Sequence, residues 1–341
     1  MSKISFILLF FITAFCIHSQ NSKYEPSWIY LKKAENFKEK RDYASALTMA
    51  RLAKQVRIEE KLESYKKELY DKHKDKTEYE IKKIVAGKKD ALIESDNYPE
   101  YHELVGDLYY LTGFLEEAIK EYKITVEQKN FFEYSEKIIE VKYKLGNVYE
   151  KIFDYELADI VYREIVDIFI KKRKDDFWDR IKINIKDDPT LEKVMRIYRI
   201  EGMEYMKAFY KVGKRASIIG RSKEALFYLS VACVLWMTHR GSEIKKERFD
   251  FQYSNLLDFL NLVTKKEFKD YVTDKNYLID ETLFFIGYSC SQENEDISAI
   301  RYYDLAKKFS VGSKREESIN NRIEYLKNSP EHRLSYDEVI D

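Results

Sequence analysis

The sequence predicts an all-α protein built as a chain of stacked helical hairpins, and three observations carry that expectation. One pattern is written twice: Gly106 is followed by Tyr109, Ala118 and Tyr122, and Gly146 by Tyr149, Ala158 and Tyr162, at identical offsets in the two copies. Self-similarity of this kind marks a repeat architecture whose units cannot bury their apolar faces alone. The 4 prolines and 10 glycines in 341 residues leave few places to break a helix. A charged share of 35% beside 45% hydrophobic suits amphipathic helices with solvated outer faces.

Within each copy, a small residue on the first helix and an alanine on the second let two helices approach closely, and the two tyrosines fill the space between them. The same frame fits three further stretches: Ala34, Phe37, Ala46, Ala50 and Ala53; Gly213, Ala216, Ala225, Leu229 and Ala232; and Gly287, Cys290, Ala299, Tyr303 and Ala306. All five keep one spacing between the first small residue and the alanine of the second helix.

These residues resemble the tetratricopeptide repeat, a helical hairpin of about 34 residues. Set in that frame, the repeats span about 27–60, 99–132, 139–172, 206–239 and 280–313. The resemblance implies a right-handed superhelical solenoid over residues 20–328, with a helix over 313–327 covering its last apolar face and a flexible tail over 329–341. Departures occur where Thr125 and Ile165 replace the final alanine and where Ala216 and Cys290 shrink the first aromatic. The intervals from Ala34 to Gly106, from Gly146 to Gly213 and from Gly213 to Gly287 each come close to twice the repeat length. Degenerate helical pairs are accordingly expected near Lys61–Ser95, Lys171–Glu204 and Ser242–Asn276.

Taken in order, the chain opens on Lys3, an apolar run from Ile4 to Ile17 and a small residue before Gln20, the layout of a secretory signal peptide over residues 1–19. The run is shorter than the roughly 20 residues that span a bilayer, which favours a cleaved signal over a retained anchor. Cys16 admits a lipid-attachment reading, against which the bulky Phe15 counts. Asp42-Tyr43 mark the turn of the first repeat, Lys61 to Lys76 reads as a solvated helix, and Ile81, Ile84, Val85, Leu92 and Ile93 restore an apolar face. Pro99 suits the first turn of the next helix. Lys171 to Lys174 is the densest basic run, neutralised by Asp175 and Asp176. Asp187-Asp188-Pro189 starts a new element, and Leu191 to Met206 leads into an unusually long first helix of the fourth repeat. Cys233 and Cys290 read as buried free thiols, their separation in sequence fixing no disulfide.

Residues able to do chemistry are scattered. His73, His102, His239 and His332 lack partners at metal-ligand spacing, so no metal and no cofactor is expected. Ala86-Gly87-Lys88-Lys89 lacks the upstream glycine and the hydroxyl of a phosphate loop and reads as a glycine within a helix. No serine stands in a nucleophile elbow, and an enzyme is not expected. Sixty basic and sixty acidic side chains give zero net charge and no electrostatic footprint for nucleic acid.

What remains is a surface. In the tetratricopeptide family the first helix of each hairpin lines a concave groove, and the corresponding slots here hold Glu103, Asp107 and Tyr110; Tyr143, Asn147 and Glu150; Lys207, Tyr210 and Lys214; and Phe284 and Tyr288. The resemblance makes Tyr110, Tyr143, Asn147, Lys207, Tyr210, Lys214, Phe284 and Tyr288 the expected protein-binding residues, with the hydroxyls of Tyr110, Tyr143, Tyr210 and Tyr288 facing water and the groove running from acidic to basic. The family's clamp for chaperone C-termini is not expected, because Leu31 and Glu35 occupy its slots. Signal, repeats and lysine- and tyrosine-rich composition are similar in kind to the periplasmic repeat proteins of spirochaetes, including those of the flagellar motor collar. The expected function is a non-catalytic periplasmic scaffold that holds other envelope proteins, with self-association possible and no integral membrane segment. The alternative is a soluble ligand-binding component of an uptake system.

Overall fold

A computed structural model describes residues 24–172, 200–254, 256–268, 278–310 and 314–328. The expected signal peptide with Cys16, the aspartate-proline break near Pro189, the stretch leading up to residue 200, His332 and the tail lie outside the described residues, as do Arg173 to Asp176 of the charged run. Among the described residues the chain is all-helical, with thirteen α-helices, three short 3₁₀ turns and no strand. It divides into two compact units, residues 1–153 and 154–341.

The first unit contains α1 (Ser27–Glu39), α2 (Tyr43–Lys72), α3 (Glu78–Glu94), α4 (Pro99–Thr112), α5 (Leu115–Glu127) and α6 (Lys137–Lys151). Packed neighbours are α1 with α2, α2 with α3, α2 with α4, α4 with α5 and α5 with α6. The core forms where small residues of the first hairpin, Ala34, Ala46 and Ala50, receive Tyr98, Tyr101, Leu104, Val105 and Leu108 from α4 and the residue before it. Pro99 is the first residue of α4, where its missing N–H costs no hydrogen bond.

No glycine or proline interrupts α2, so it runs on through the charged stretch for 30 residues. Its second half pairs with α3, so the expected hairpin near Lys61–Ser95 shares a helix with the first repeat. Leu69 is buried, which departs from the expected wholly solvated helix. A capping box starts α3: the Thr77 side chain accepts from the Glu80 N–H, and the Glu80 carboxylate accepts from the Thr77 N–H. Ile81 is the fully buried apolar residue of α3, whereas Ile93 is 41% exposed. Gly87 sits within that helix with open space where a Cβ would stand.

The second unit contains α7 (Tyr155–Lys172), α8 (Met206–Ile218), α9 (Ser222–Glu247), α10 (Leu256–Val263), α11 (Ile279–Gln292), α12 (Asp296–Phe309) and α13 (Lys314–Asn328). Here α7 packs on α8, α8 on α9 and α11, α9 on α10 and α11, and α11 on α12, with α13 against α12. Two expectations are corrected in this unit. The first helix of the fourth repeat does not extend back through Met203, because Gly202 has φ 123° and Met203–Tyr205 is a 3₁₀ turn. A Cβ at Gly202 would stand 2.8 Å from the ring of Phe169, so close approach as well as conformation requires glycine. Among the described residues the stretch Ser242–Asn276 also holds no second full hairpin: α9 continues to Glu247 and α10 is 8 residues long. That stretch instead builds an aromatic cluster around the buried Trp236, which meets Phe259 and Phe309 edge-on at 5.8 and 5.9 Å.

One contact recurs inside the hairpins. A Cβ added to Gly106 would stand 2.7 Å from the Tyr122 ring, one on Gly213 2.7 Å from Leu229 Cγ, and one on Gly287 3.0 Å from the Tyr303 ring. In each case the small residue of the first helix meets the large residue at the matching slot of the second.

The turns share one geometry. Arg41, Gly113, Phe153, Gly220 and Asn294 all have positive φ, and all five follow the small residue of their frame at the same distance. At Gly113 the Phe114 N–H donates to the Tyr109 carbonyl at 2.9 Å and the Gly113 N–H to that of Tyr110 at 3.3 Å, a Schellman closure of the helix. The Phe114 ring caps it, edge-on to Tyr109 at 6.3 Å. Equivalent bonds run from Asp42 to Phe37, Arg221 to Ala216 and Glu295 to Cys290. Asp42 is therefore the cap of α2, accepting from the Ser45 N–H, and Tyr43 is already helical. Phe153, at φ 63°, is the bulkiest residue in this role. Left-handed backbone costs an L-residue about 1–2 kcal/mol, so Phe153→Gly should stabilise the protein by about 1 kcal/mol, read as a higher urea midpoint.

Candidate protein-interaction face

In the first unit, α4 and α6 are joined by a ladder of charge. Glu103 on α4 is 5% exposed and takes Lys137 at 2.9 Å and Lys144 at 2.7 Å from the α6 side. One turn further along α4, Asp107 accepts from Lys38 of α1 at 2.9 Å, from Lys144 at 3.1 Å and from the Tyr122 hydroxyl of α5 at 2.8 Å. The acidic end expected of the groove is thus already neutralised by three lysines. The available signal was opposite charge at facing slots of different repeats, Glu103 and Asp107 on one and Lys144 on the next.

These contacts set the protonation of the cluster. Burial alone would raise the Asp107 pKa, but Lys144, Lys38 and Tyr122 outweigh it and hold it below the ordinary aspartate range. The same carboxylates raise Lys144 against its own desolvation, and burial with the charge of Asp107 pushes the Tyr122 phenol up. Because folding lowers the Asp107 pKa below its unfolded value of about 3.9, the folded state binds fewer protons there than the unfolded state. The stabilisation is complete above the unfolded value and is lost as pH falls through the lower folded value. Asp107→Asn should cost about 1.5 to 3 kcal/mol at neutral pH. It should also show a shallower loss of stability on acidification, measured as urea midpoints against pH.

Of the expected binding residues in this unit, Tyr110, Tyr143 and Asn147 are all half-buried. The Lys151 ammonium sits 4.2 Å from the centre of the Tyr110 ring. Tyr149, placed by the frame inside its hairpin, is buried.

In the second unit the structure brings Tyr210, Lys214, Phe284 and Tyr288 onto the neighbouring helices α8 and α11. Tyr210 departs from expectation: it is 1% exposed, and its hydroxyl bonds to the Glu281 carboxylate rather than facing water. Lys214 bonds to the same carboxylate at 2.7 Å, and Arg315 of α13 reaches it at 3.3 Å. Burial would raise the Glu281 pKa, but Lys214, Tyr210 and Arg315 together lower it. Phe284 lies 5.5 Å from the Tyr303 ring, Tyr288 lies under Arg322 at 5.4 Å, and Lys207 is half-buried. On these helices cations therefore lie over aromatic rings, Arg322 over Tyr288 among them.

Other residues of interest are internal. Cys233 and Cys290 are buried, and desolvation pushes the Cys233 thiol up, which disfavours the thiolate needed for reactivity. His102 is buried against Glu121, its Nδ1 2.6 Å from the carboxylate. No group of three metal-ligating side chains gathers among the described residues. No described helix is long and apolar enough to cross a membrane.

No family model matches the chain, and no curated protein is significantly similar to it.

Proposed function

We propose that the protein is a non-catalytic scaffold of tetratricopeptide-like hairpins, exported to the periplasm, that holds other envelope proteins through side chains on the first helices of its hairpins. The observation that carries this reading is the recurrence in both units of one hairpin, with a small residue packed on a large one and a left-handed turn at a fixed distance. Stacked hairpins of this kind present extended surfaces composed of many side chains. The ion-paired side chains keep those surfaces rigid, so little conformational freedom is lost on binding. Tyr110, Tyr143 and Tyr288 are the expected anchors, since interface energy concentrates in aromatic and arginine side chains. Tyr210 belongs to the interior.

A pulldown from envelope extract with the full chain tests this reading. Specific protein partners that are lost on Tyr143→Ala or Tyr288→Ala support it. A preparation that captures no protein but carries a bound small molecule through purification would assign the chain to ligand binding instead.

A further inference from the structure

Little holds α3 in place compared with its neighbours. It packs on α2, and of its 17 residues only Ile81 is buried, whereas α4 buries eight of 14. Ile84, Val85 and Leu92 are half-buried and Ile93 is 41% exposed. On the α2 side, Leu62, Tyr65 and Leu69 follow one another at helical spacing along one face, with Leu69 buried and the other two half-buried. Among the described residues no hydrogen bond or ion pair joins residues 62–72 to residues 78–94. The ion pairs of both stretches, Lys66 with Glu63, Lys72 with Glu68 and Lys82 with Glu78, each stay within one helix. That contrasts with the charge ladder tying α4 to α6.

Gly87 lies in the middle of α3, where a Cβ would meet nothing within 4 Å. No close approach therefore requires glycine, which lowers helix formation about fivefold relative to alanine. The bonds that anchor this stretch to the rest of the unit all fall just outside it. Before it, Glu60 accepts from the Ser27 N–H at 2.9 Å and from the Ser27 hydroxyl at 2.7 Å. After it, the Asp96 carboxylate accepts from Arg57 at 3.1 Å and from Lys61, and Arg57 also donates to the Asn97 carbonyl at 3.1 Å. The Tyr98 N–H donates to Gln128, which follows α5, at 2.8 Å. Residues 96–98 are thus latched by groups that do not belong to α3.

We propose that residues 62–95 open as a local segment: α3 leaves α2 and unwinds while the helices on both sides stay folded. Segments with few buried apolar contacts open at a lower free energy than the whole fold, and elements that move on binding are drawn from them. Opening bares Leu62, Tyr65 and Leu69 and leaves intact the core around Ala46, Ala50 and Leu104. The first unit can therefore reshape one flank without loss of its hairpins. The inference rests on packing alone and stands whether or not the scaffold reading does.

The test is hydrogen exchange of the full chain, followed by mass spectrometry in urea below the unfolding transition. Amides of α3 are expected to exchange about 100-fold faster than those of α4, or more, because α4 opens only with the core. Gly87→Ala should slow exchange in α3 about fivefold and leave α4 unchanged. Ile81→Ser should remove most of the remaining protection in α3, again without change in α4, since the latch at Asp96 isolates the two helices. Exchange in α3 as slow as in α4 at every urea concentration would overturn the proposal. So would exchange in α4 that accelerates together with α3 in Ile81→Ser, because the two would then open as one. Indifference of α3 to both substitutions would overturn it as well.

Discussion

Gly106→Leu is expected to destabilise the first unit by about 3 kcal/mol, the upper part of the range for overpacking. A Cβ alone at this position would stand 2.7 Å from the Tyr122 ring. The ring has little room to retreat, because Tyr122 is 1% exposed and its hydroxyl is bonded to Asp107, itself held by Lys38 and Lys144. Strain at one glycine therefore propagates into an ion cluster tying α1, α4, α5 and α6 together. Urea denaturation followed by circular dichroism reads the effect directly. An unchanged midpoint would show that the α4–α5 hairpin does not close on this contact.

Tyr210→Ala should cost the second unit about 3 to 5 kcal/mol, the usual loss on truncating a fully buried aromatic. The substitution removes a ring that is 1% exposed and a donor to Glu281. The cost is raised further because the carboxylate left behind is still shielded from water. Tyr143→Ala, at the corresponding place in the repeat frame but half-buried, should cost about 1 kcal/mol. Thermal melts of the two variants separate them; similar losses would mean that the two positions have the same environment after all.

That contrast shows where sequence reasoning reaches and where it stops. The hairpin contacts were legible because they rest on a short fixed spacing: Gly106 with Tyr122 and Gly287 with Tyr303 are equally separated, each pair within one helix-turn-helix unit. The start of α4 followed from local chemistry, Pro99 being suited to a first turn. The fate of Tyr210 was not legible, because it depends on Glu281, distant in the chain and in a different hairpin. The neutralisation of Glu103 and Asp107 likewise needs Lys137 and Lys144 to arrive from a later helix. Continuation of α9 past its expected end was hidden for another reason. Gly241 lies within the helix and serves as the place where the Tyr253 side chain approaches, a Cβ there standing 2.9 Å from the hydroxyl. The left-handed turns were not read from the sequence, since they fall on Arg41, Phe153 and Asn294 as well as on Gly113 and Gly220.

The claim that one hairpin contact is repeated in both units is tested most directly by a pair of double-mutant cycles, Gly106→Ala with Tyr122→Leu and Gly287→Ala with Tyr303→Leu. In each, the smaller partner should relieve part of the clash, leaving the double variant less destabilised than the sum of the single ones by about 1 to 2 kcal/mol. The same sign and similar size in both cycles is the predicted result. Additivity within about 0.5 kcal/mol in either cycle would contradict it, because residues that do not touch do not couple.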